Sequence, residues 1–333
     1  MGNSGIDAVI TWVDGNDPVW LSEKEKYLPK RDTYKSGTSN MRFRDWENLQ
    51  YIFRGIELYM PWIDTVHFIT CGHLPEWLNT EAEKLHIVKH SDFIPEAYLP
   101  TFNSDAIELN MHRIPGLSEK FINFNDDMFV INPTTSADFF RGDVPCETGI
   151  LTPFVITPNG IAATEMNNLE IINKYFSMND VKKNKSKWIN PKYGLGNLRT
   201  MIFMQWRGIN GIYEPHIPLS LKKSTLEMLW NIESEAFITT SSNRFREKND
   251  INIWLVHQWH LLSGNFVPRR KDFGIYCSLP NDMDSALSIL KSPGKHKMIC
   301  INDSLLVDDF ESVKNQINTA LTAMFPKKSS FEK

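Results

Sequence analysis

The chain has 333 residues, of which 41% are hydrophobic and 23% are charged, so it can bury one large core or two ordinary ones. Its formal net charge of -4 gives no overall positive field that would favour nucleic acid as a partner. No stretch approaches the roughly 18 apolar residues that a membrane span needs. The short apolar start, Ile6 to Val13, is interrupted by Asp7 and predicts a strand, not a signal peptide.

The four cysteines are widely separated and form no CxxC pair, so a zinc ribbon or a thioredoxin-like motif has no support. Scattered free thiols suit a reducing compartment, where we expect them to be buried packing residues. We therefore predict a cytoplasmic protein, with any membrane contact peripheral at the inner face of the plasma membrane. The cysteines are Cys71, Cys146, Cys277 and Cys300.

The first part of the chain alternates between strand and helix patterns. Apolar, β-branched runs predict four strands, over residues 6–13, 65–70, 85–90 and 121–124. An apolar stripe from Arg42 predicts a helix that Pro61 ends, and a second helix has Asn103 or Ser104 as its N-cap and stops at Pro115. Alternation of this kind is typical of a mostly parallel sheet covered by helices, so we predict an α/β fold.

The segments between these elements are less regular. Asp14–Pro18 predicts a turn directly after the first strand, where nucleotide-binding folds place their first ligand loop. Lys24 to Asn40 is charged and aperiodic, which predicts a surface loop. Residues 134–215 give no clear pattern, and their basic run, Lys182–Lys187, is either a solvated loop or the flank of a site for an anionic acceptor.

The C-terminal part of the chain predicts mainly helices. Ser224 and Glu227 have the spacing of a capping box that would open one helix, and further helices are expected over 250–262 and 308–325. We interpret the whole chain as a single catalytic domain. Its parts are an α/β half (1–133), a variable insert and candidate acceptor region (134–215), and a helical half that completes the site (216–333).

Two adjacent carboxylates, Asp126 and Asp127, follow the strand at 121–124. In an open α/β sheet, ligands bind beyond the carboxyl ends of the strands, and an acidic pair there can hold a divalent metal against a diphosphate. Asn and Asp are also ordinary turn residues, so Asn125–Asp127 equally fits a polar turn that closes a hairpin.

A second group of polar residues lies on the helix before that strand. Glu108 precedes His112 by four residues and Arg113 by five, so a carboxylate, an imidazole and a guanidinium start about one turn apart. Two interpretations fit this spacing: the three residues belong to a functional site, or they are ordinary neighbours on a helix surface.

Downstream, His216 is fixed between Pro215 and Pro218, which limits the freedom of its loop and pre-orients the ring. Such a histidine suits general-base work on a sugar hydroxyl, although a polar loop histidine is the alternative. Arg244 and Arg246 precede a predicted helix, where guanidinium groups can bind phosphate oxygens, and exposed arginines are also common there.

The order of the motifs is more informative than any one of them. Residues 6–18 (IDAVITWVDGNDP) come first. The second region comprises 42–51 (RFRDWENLQY), 60–62, 99–108 (LPTFNSDAIE), 112–118 and 124–129 (FNDDMF). Residues 216–230 with 244–246 and 250–252 form the third, and 299–303 (ICIND) with 325–331 (FPKKSSF) the fourth. In this order they resemble the four signature regions of the Stealth family of sugar-phosphate transferases.

That family includes bacterial capsular polysaccharide phosphotransferases and the animal lysosomal-enzyme N-acetylglucosamine phosphotransferase. Its members transfer a sugar 1-phosphate from a nucleotide sugar to a hydroxyl of another glycan. This chain lacks the large inserted modules of the animal enzyme, so it resembles the compact capsule type. The resemblance implies catalytic roles for Glu108, Asp127, His216 and Arg246. It assigns Asp14, Asn16, Asp17, Arg54 and Arg244 to the donor side.

Our hypothesis is therefore a phosphotransferase of capsular or cell-surface polysaccharide synthesis, with a Rossmann-like, glycosyltransferase-A-like sheet. It would use Mg²⁺ or Mn²⁺ held by Asp126 and Asp127, a nucleotide sugar such as UDP-N-acetylhexosamine, and a glycan acceptor. His216 is the expected general base, Asp127 is the rival base, and Arg246 would clamp phosphate charge. The alternatives are a metal-dependent glycosyltransferase and a non-catalytic carbohydrate-binding component of a capsule assembly complex.

Overall fold

The computed structural model describes residues 5–28, 43–154, 162–303 and 309–333, which contain eleven strands and thirteen α-helices. The strands are β1 (Ile6–Thr11), β2 (Val66–Thr70), β3 (Leu85–Lys89), β4 (Lys120–Phe124), β5 (Met128–Val130), β6 (Phe140–Arg141), β7 (Val144–Glu147), β8 (Leu219–Lys222), β9 (Val267–Pro268), β10 (Gly274–Leu279) and β11 (Met298–Asp303).

The helices of the N-terminal half are α1 (Pro18–Tyr27), α2 (Leu49–Tyr59), α3 (His90–Phe93) and α4 (Ser104–Leu109). A middle group comprises α5 (Ala162–Tyr175), α6 (Met178–Lys183), α7 (Lys185–Trp188) and α8 (Gly196–Phe203). The C-terminal group comprises α9 (Lys223–Ile232), α10 (Ser234–Ser242), α11 (Trp254–Leu262), α12 (Met283–Lys291) and α13 (Phe310–Met324). None of these helices is long and apolar enough to cross a membrane.

The central sheet has five strands in the order β3-β2-β1-β4-β8. The first four are parallel, and β8 runs antiparallel beside β4, with Asn123 opposite Leu219. The order 3-2-1-4 is that of a doubly wound nucleotide-binding sheet. The four predicted strands are all present, and the predicted α/β fold with a mostly parallel sheet is confirmed.

Side chains of alternate residues on β4 point into different cores, as the period of a strand requires. Phe121 packs in a cluster with Leu229 and Phe237, whereas Ile122 and Phe124 pack in a second cluster with the α2 helix. Because both faces of β4 are covered, apolar residues stand at consecutive positions, as at Phe121 and Ile122.

After β4 the chain does not form a hairpin. The short strand β5 leaves the Asn125–Asp127 turn and pairs antiparallel with β11, so that Met128 lies opposite Cys300. β11 in turn pairs in parallel with β10, which gives a separate three-stranded sheet. The residues of β11 are thereby brought beside the two aspartates.

Several predicted boundaries are wrong for identifiable reasons. The helix expected from Arg42 begins at Leu49, because Glu47 adopts a left-handed φ of 53°; Arg42 itself lies outside the described residues. The expected loop from Lys24 is helical to Tyr27, since Asp17 caps α1. Residues 29–40 of that loop lie outside the described residues.

Two further corrections concern the C-terminal half. Ser224 is not an N-cap: it lies inside α9, where its N–H and hydroxyl donate to the Glu119 carboxylate at 3.1 and 2.5 Å. The helix expected from Asp250 starts at Trp254, because the Asp250 side chain accepts hydrogen bonds from Asn103 and Asn243 that hold it in a non-helical segment. The predicted helix over 308–325 is present as α13.

The described parts of the stretch from 134 to 215 fold together with the C-terminal half. Its strand β7 pairs with β9, and its residues Ile172, Val181 and Trp188 are fully buried in the same cluster as helix α11. The suggested role of this stretch in acceptor recognition stays a prediction.

Candidate active site

Three parts of the chain meet beyond the carboxyl end of β4. Asp127 lies in the turn after β4, and His216 lies just before β8. Because β8 is antiparallel to β4, the start of β8 lies at the edge where β4 ends. The His216 Nε2 atom is consequently 4.0 Å from the Asp127 Oδ2 atom, although 89 positions separate them in the chain.

Strand β11 holds the Asp127 side chain in place. The Asn302 Nδ2 atom donates to Asp127 Oδ2 at 3.0 Å, and the Cys300 thiol donates to the same oxygen at 3.3 Å. The Ile301 N–H donates to the Asp127 carbonyl at 2.9 Å. Burial and the nearby Asp127 charge raise the pKa of Cys300 well above its ordinary value, so the thiol stays protonated and can donate.

The His216 ring is fixed by its backbone and by two aromatic neighbours. Its φ of 47° lies in the left-handed region, which a non-glycine residue adopts only when the surrounding structure imposes it. The ring meets the edges of Trp254 and Tyr276 at centroid distances of 5.7 and 5.3 Å. The Tyr276 hydroxyl donates to Asn302 Oδ1 at 3.1 Å, which links the two sides of the site.

Behind the His216 loop lies a buried charged network. His257 on α11 places Nδ1 3.0 Å from a Glu147 oxygen and Nε2 3.4 Å from a Glu214 oxygen, and Glu214 is two residues before His216. Burial opposes the charging of His257, but the two carboxylates outweigh it and raise its pKa to about 9. Gln258 donates to Glu165 at 2.8 Å and to Glu214 at 3.3 Å.

Glu108 and Arg246 form the other wall of the candidate site. Arg246 Nη2 donates to the Ser104 hydroxyl, and Nε lies 3.4 Å from an Asp105 oxygen, so the guanidinium is fastened to the first turn of α4. Glu108 lies on that same helix. Burial, with Asp105 and Asp127 nearby, raises the pKa of Glu108 to about 8, while the Arg246 charge works in the opposite direction.

His112 and Arg113 do not continue the helix of Glu108, so the structure does not support the alternative in which the three residues form part of one site. The α-helix ends at Leu109, and His112 and Arg113 continue in a separate 3₁₀ turn. The Arg113 guanidinium lies over the Trp230 ring at 4.2 Å, and the His112 ring is 5.7 Å from the same ring. The cation near Glu108 is therefore Arg246, which comes from a distant part of the chain.

An acidic group extends from Asp127 towards the first strand. Although Asp126 keeps exposed surface, desolvation by the surrounding protein and the Asp127 charge raise its pKa to about 7, and Asp45 adds to the rise. Burial raises the pKa of Asp45 as well, and the charge of Asp14 contributes. The Asp45 charge thus interacts with those of both the opening loop and the acidic turn.

The residues assigned to the donor side have differing surroundings. Asp14 Oδ1 accepts from the Asn16 N–H at 2.8 Å, and Asp17 Oδ1 accepts from the Trp20 N–H at 2.6 Å as the cap of α1. The Arg54 guanidinium is paired with the Glu332 carboxylate at 2.6 Å. The Arg244 guanidinium lies over the Tyr27 ring at 4.8 Å. Donor binding by these residues stays a prediction.

The oxygen atoms of this site suit a divalent cation. Asp127 Oδ1 is buried and has no hydrogen-bond partner, which leaves a carboxylate oxygen that a ligand could satisfy. Asp127, His216 and Cys300 each offer a donor atom within 4.8 Å of the others. Since Cys300 holds its proton, the Asp127 carboxylate is a better ligand than the thiol, and carboxylate oxygens are preferred by Mg²⁺ and Mn²⁺. Asp126 is not one of these three residues, so its role as a metal ligand stays a prediction.

Sequence reasoning missed Asn302, Tyr276, Trp254 and Asp45 as parts of the site. Asn302 and Asp45 lie inside the motifs that carry the family resemblance. Their polar side chains in those motifs could have identified them as candidate site residues. Tyr276 and Trp254 gave no signal, because aromatic residues are usual in cores.

Among solved structures, that of the galactosyltransferase LgtC aligns with 94% of this chain and 95% of its own, at 9% sequence identity and a TM-score of 0.39.

Four family models match the chain in order. They are Stealth protein conserved region 1 at residues 5–32, conserved region 2 at 42–146, conserved region 3 at 215–263 and conserved region 4 at 288–333. Asp14, Glu108, Asp127, His216 and Arg246 lie within the first three of these regions.

Curated relatives match nearly the whole length. The chain is 41% identical over 329 residues to the capsular polysaccharide phosphotransferase WcwK of Streptococcus pneumoniae, covering 98% of each chain. It is 38% identical to the receptor polysaccharide phosphotransferase WefC of Streptococcus oralis, covering 98% of this chain and 99% of that one. It is 35% identical to the exopolysaccharide phosphotransferase cps2G of Lactiplantibacillus plantarum, with 100% and 97% covered. The chain therefore belongs to the Stealth family.

Proposed function

We propose that the protein transfers a sugar 1-phosphate from a nucleotide sugar to a hydroxyl of a glycan acceptor, in the synthesis of a capsular or cell-surface polysaccharide. Relatives named as phosphotransferases of such polysaccharides match 98% or more of the chain. The observation that carries the proposal is the meeting of His216 with Asp127, 4.0 Å apart, at the carboxyl end of the central sheet.

In the proposed reaction, the acceptor hydroxyl oxygen attacks the phosphorus that bears the sugar. The new phosphorus–oxygen bond forms as the bond from that phosphorus to the nucleoside monophosphate breaks, and the hydroxyl proton passes to His216. This ring is suited to the task because its loop and its two aromatic neighbours fix its direction. Asp127 is the rival base.

The other residues of the site would stabilise the negative charge of the donor diphosphate. Asp126 and Asp127 would hold Mg²⁺ or Mn²⁺, which when bound would neutralise part of the diphosphate charge. Arg246, oriented by Ser104 and Asp105, would bind phosphoryl oxygens. With a pKa raised to about 8 by burial, Glu108 is mostly a neutral acid at pH 7 and can donate a hydrogen bond to the same oxygens.

The finer assignments are also proposals. We propose UDP-N-acetylhexosamine as the donor, with the Asp14–Asp17 loop, Arg54 and Arg244 on the donor side. We further propose that the enzyme works in the cytoplasm and contacts the membrane only peripherally. Its four cysteines are all free thiols, which suits a reducing compartment.

The test is incubation of the protein with a panel of nucleotide sugars, Mg²⁺ and candidate oligosaccharides, followed by mass spectrometry and nucleotide analysis. We expect a nucleoside monophosphate to be released and the acceptor to gain the mass of a sugar phosphate. Release of a nucleoside diphosphate with a gain of sugar mass alone would identify a glycosyltransferase instead. Binding of sugar without any product, unchanged by Asp127→Asn, would identify a non-catalytic binding component.

A further inference from the structure

We propose that α8 and its flanking residues, Lys192–Arg207, form a surface that docks the protein on an anionic lipid bilayer. The inference deepens the proposed peripheral membrane contact by naming the surface that makes it, and it does not depend on which reaction the enzyme catalyses.

α8 and the residues on either side of it present large apolar side chains to solvent. Leu195, Leu198, Ile202 and Trp206 follow one another at spacings of three or four residues and are 84%, 56%, 58% and 49% exposed, and Met201 beside them is 41% exposed. Leu198 and Ile202 are one turn apart on α8 and therefore share one face of the helix, Leu195 directly precedes the helix, and Trp206 follows its last residue by three positions. Single exposed apolar residues are ordinary on a protein surface, but a contiguous stripe of them marks an interaction site.

The opposite side of α8 is fixed to the protein body, so the exposed stripe is not a sign of a loosely packed helix. Gly196, Thr200 and Met204 form a buried stripe at a spacing of four residues. A Cβ atom at Gly196 would lie 2.6 Å from the Ile150 side chain, and the Thr200 hydroxyl accepts from the Leu151 N–H at 3.1 Å.

The charged residues of the sequence segment that contains the stripe are all positive. Between Asp180 and Glu214 the sequence has five lysines, two arginines and no acidic residue, although the formal net charge of the chain is -4. Lys192, Arg199 and Arg207 are all exposed and flank the apolar stripe directly. This segment therefore complements a negatively charged surface.

Aliphatic residues and cations together favour a bilayer over a soluble polyanion. Leu and Ile beside Trp and Arg are the composition of helices that lie in the membrane interface, with the apolar side in the acyl region and the cations at anionic headgroups. A face that binds an anionic glycan needs free polar groups. Asn197, the amide of this helix, instead uses its side chain to bind the backbone of Asn190 and Gly194.

Vesicle co-sedimentation tests the surface. We expect the protein to bind vesicles of equimolar phosphatidylcholine and phosphatidylglycerol and to lose this binding at high salt. Its affinity for vesicles of phosphatidylcholine alone should be lower by a factor of about ten or more. Leu198→Glu/Ile202→Glu should lower binding to the anionic vesicles by about tenfold or more. Leu58→Glu is the matched control, because Leu58 is 57% exposed on α2 and lies outside the segment.

Circular dichroism and thermal unfolding verify that each variant is folded, and Leu198→Ser/Ile202→Ser replaces the double glutamate variant if that one is not. The proposal is wrong if the wild type does not bind anionic vesicles, or if the folded double variant binds them as well as the wild type. Equal loss of binding in the Leu58→Glu control would also contradict it, as would binding to dextran sulfate with no binding to vesicles.

Discussion

The two carboxylate oxygens of Asp127 have different surroundings. Oδ2 accepts hydrogen bonds from Asn302 and Cys300, whereas Oδ1 is buried without a partner. The stretch Asn125–Asp127 is indeed a turn, since the Met128 N–H donates to the Asn125 carbonyl at 3.3 Å. The turn and the candidate site are therefore the same feature. The hairpin of the alternative interpretation does not form, because β5 pairs with β11 and not with β4.

Asn302→Ala tests whether β11 orients Asp127. Loss of the 3.0 Å hydrogen bond should leave Asp127 less well positioned, and we expect kcat to fall about tenfold with a weaker apparent affinity for the divalent metal. Steady-state kinetics at varied Mg²⁺ measure both effects. Asn315→Ala, at an exposed position of α13, is the control and should behave as the wild type. Full activity of Asn302→Ala at low Mg²⁺ would contradict the assignment.

The pH dependence of the stability of Glu108→Gln, compared with that of the wild type, tests whether Glu108 is buried. Burial raises its pKa from the ordinary 4.5 to about 8, so the folded state binds more protons than the unfolded state between these values. The contribution of Glu108 to stability is therefore fully present below pH 4.5 and is lost as the pH rises through about 8.

Glutamine mimics the neutral acid and does not titrate. The free energy of unfolding of the wild type should consequently fall relative to that of Glu108→Gln from about pH 5 to 8, by at most about 1.4 kcal/mol per pH unit, and then level off. The melting temperature of the wild type should fall in parallel. Thermal unfolding in the presence of a chelator measures this difference. Parallel curves for the two proteins across this range would show that Glu108 is not buried as described.

At the scale of elements, the loop before β8 depends on a helix that does not touch the substrate in our proposal. Glu214 joins this loop to His257 on α11, and His257 also pairs with Glu147 on β7. The left-handed backbone of His216 is thus supported by buried charged groups two residues away. Disrupting such a network lowers the stability of the folded protein, because removing one partner leaves an uncompensated buried charge.

We expect Glu214→Gln to lower kcat about tenfold while the KM for the donor changes little, since the His216 loop would lose its ionic attachment. Glu165→Gln is the matched control. Glu165 accepts from the same Gln258 amide as Glu214 but does not lie on the loop, so kcat should stay within about twofold. Equal losses of kcat in both variants would show that the network stabilises the fold without positioning His216.

The elements that could be predicted from the sequence are those with a hydrophobic pattern contained within the element itself. β1, β2 and β4 are apolar runs, and α2 and α13 carry apolar stripes, so pattern alone predicts them. β5, β8 and β11 are short or lie among other apolar residues, and each is defined by pairing with a distant segment. Pairing of this kind depends on tertiary structure, which a local pattern does not contain.

At the scale of the whole molecule, the candidate site is assembled from residues 14 to 302 of the chain. The sheet order places the opening loop, the acidic turn and the His216 loop at one edge, and the second sheet adds β11 from the C-terminal part. The sequence predicted Asp127, His216, Glu108 and Arg246 through the family resemblance. It did not predict that Arg246 is fastened to the helix of Glu108, since that contact spans more than 130 positions.

The most direct test of phosphoryl transfer uses a donor labelled with ³²P at the phosphorus that bears the sugar. If the acceptor oxygen attacks that phosphorus, the label must appear in the glycan product, and an unlabelled nucleoside monophosphate must be released. We expect this result with the wild type and almost no labelled glycan with His216→Ala. Label recovered in the nucleoside diphosphate, with none in the glycan, would contradict phosphoryl transfer and establish glycosyl transfer.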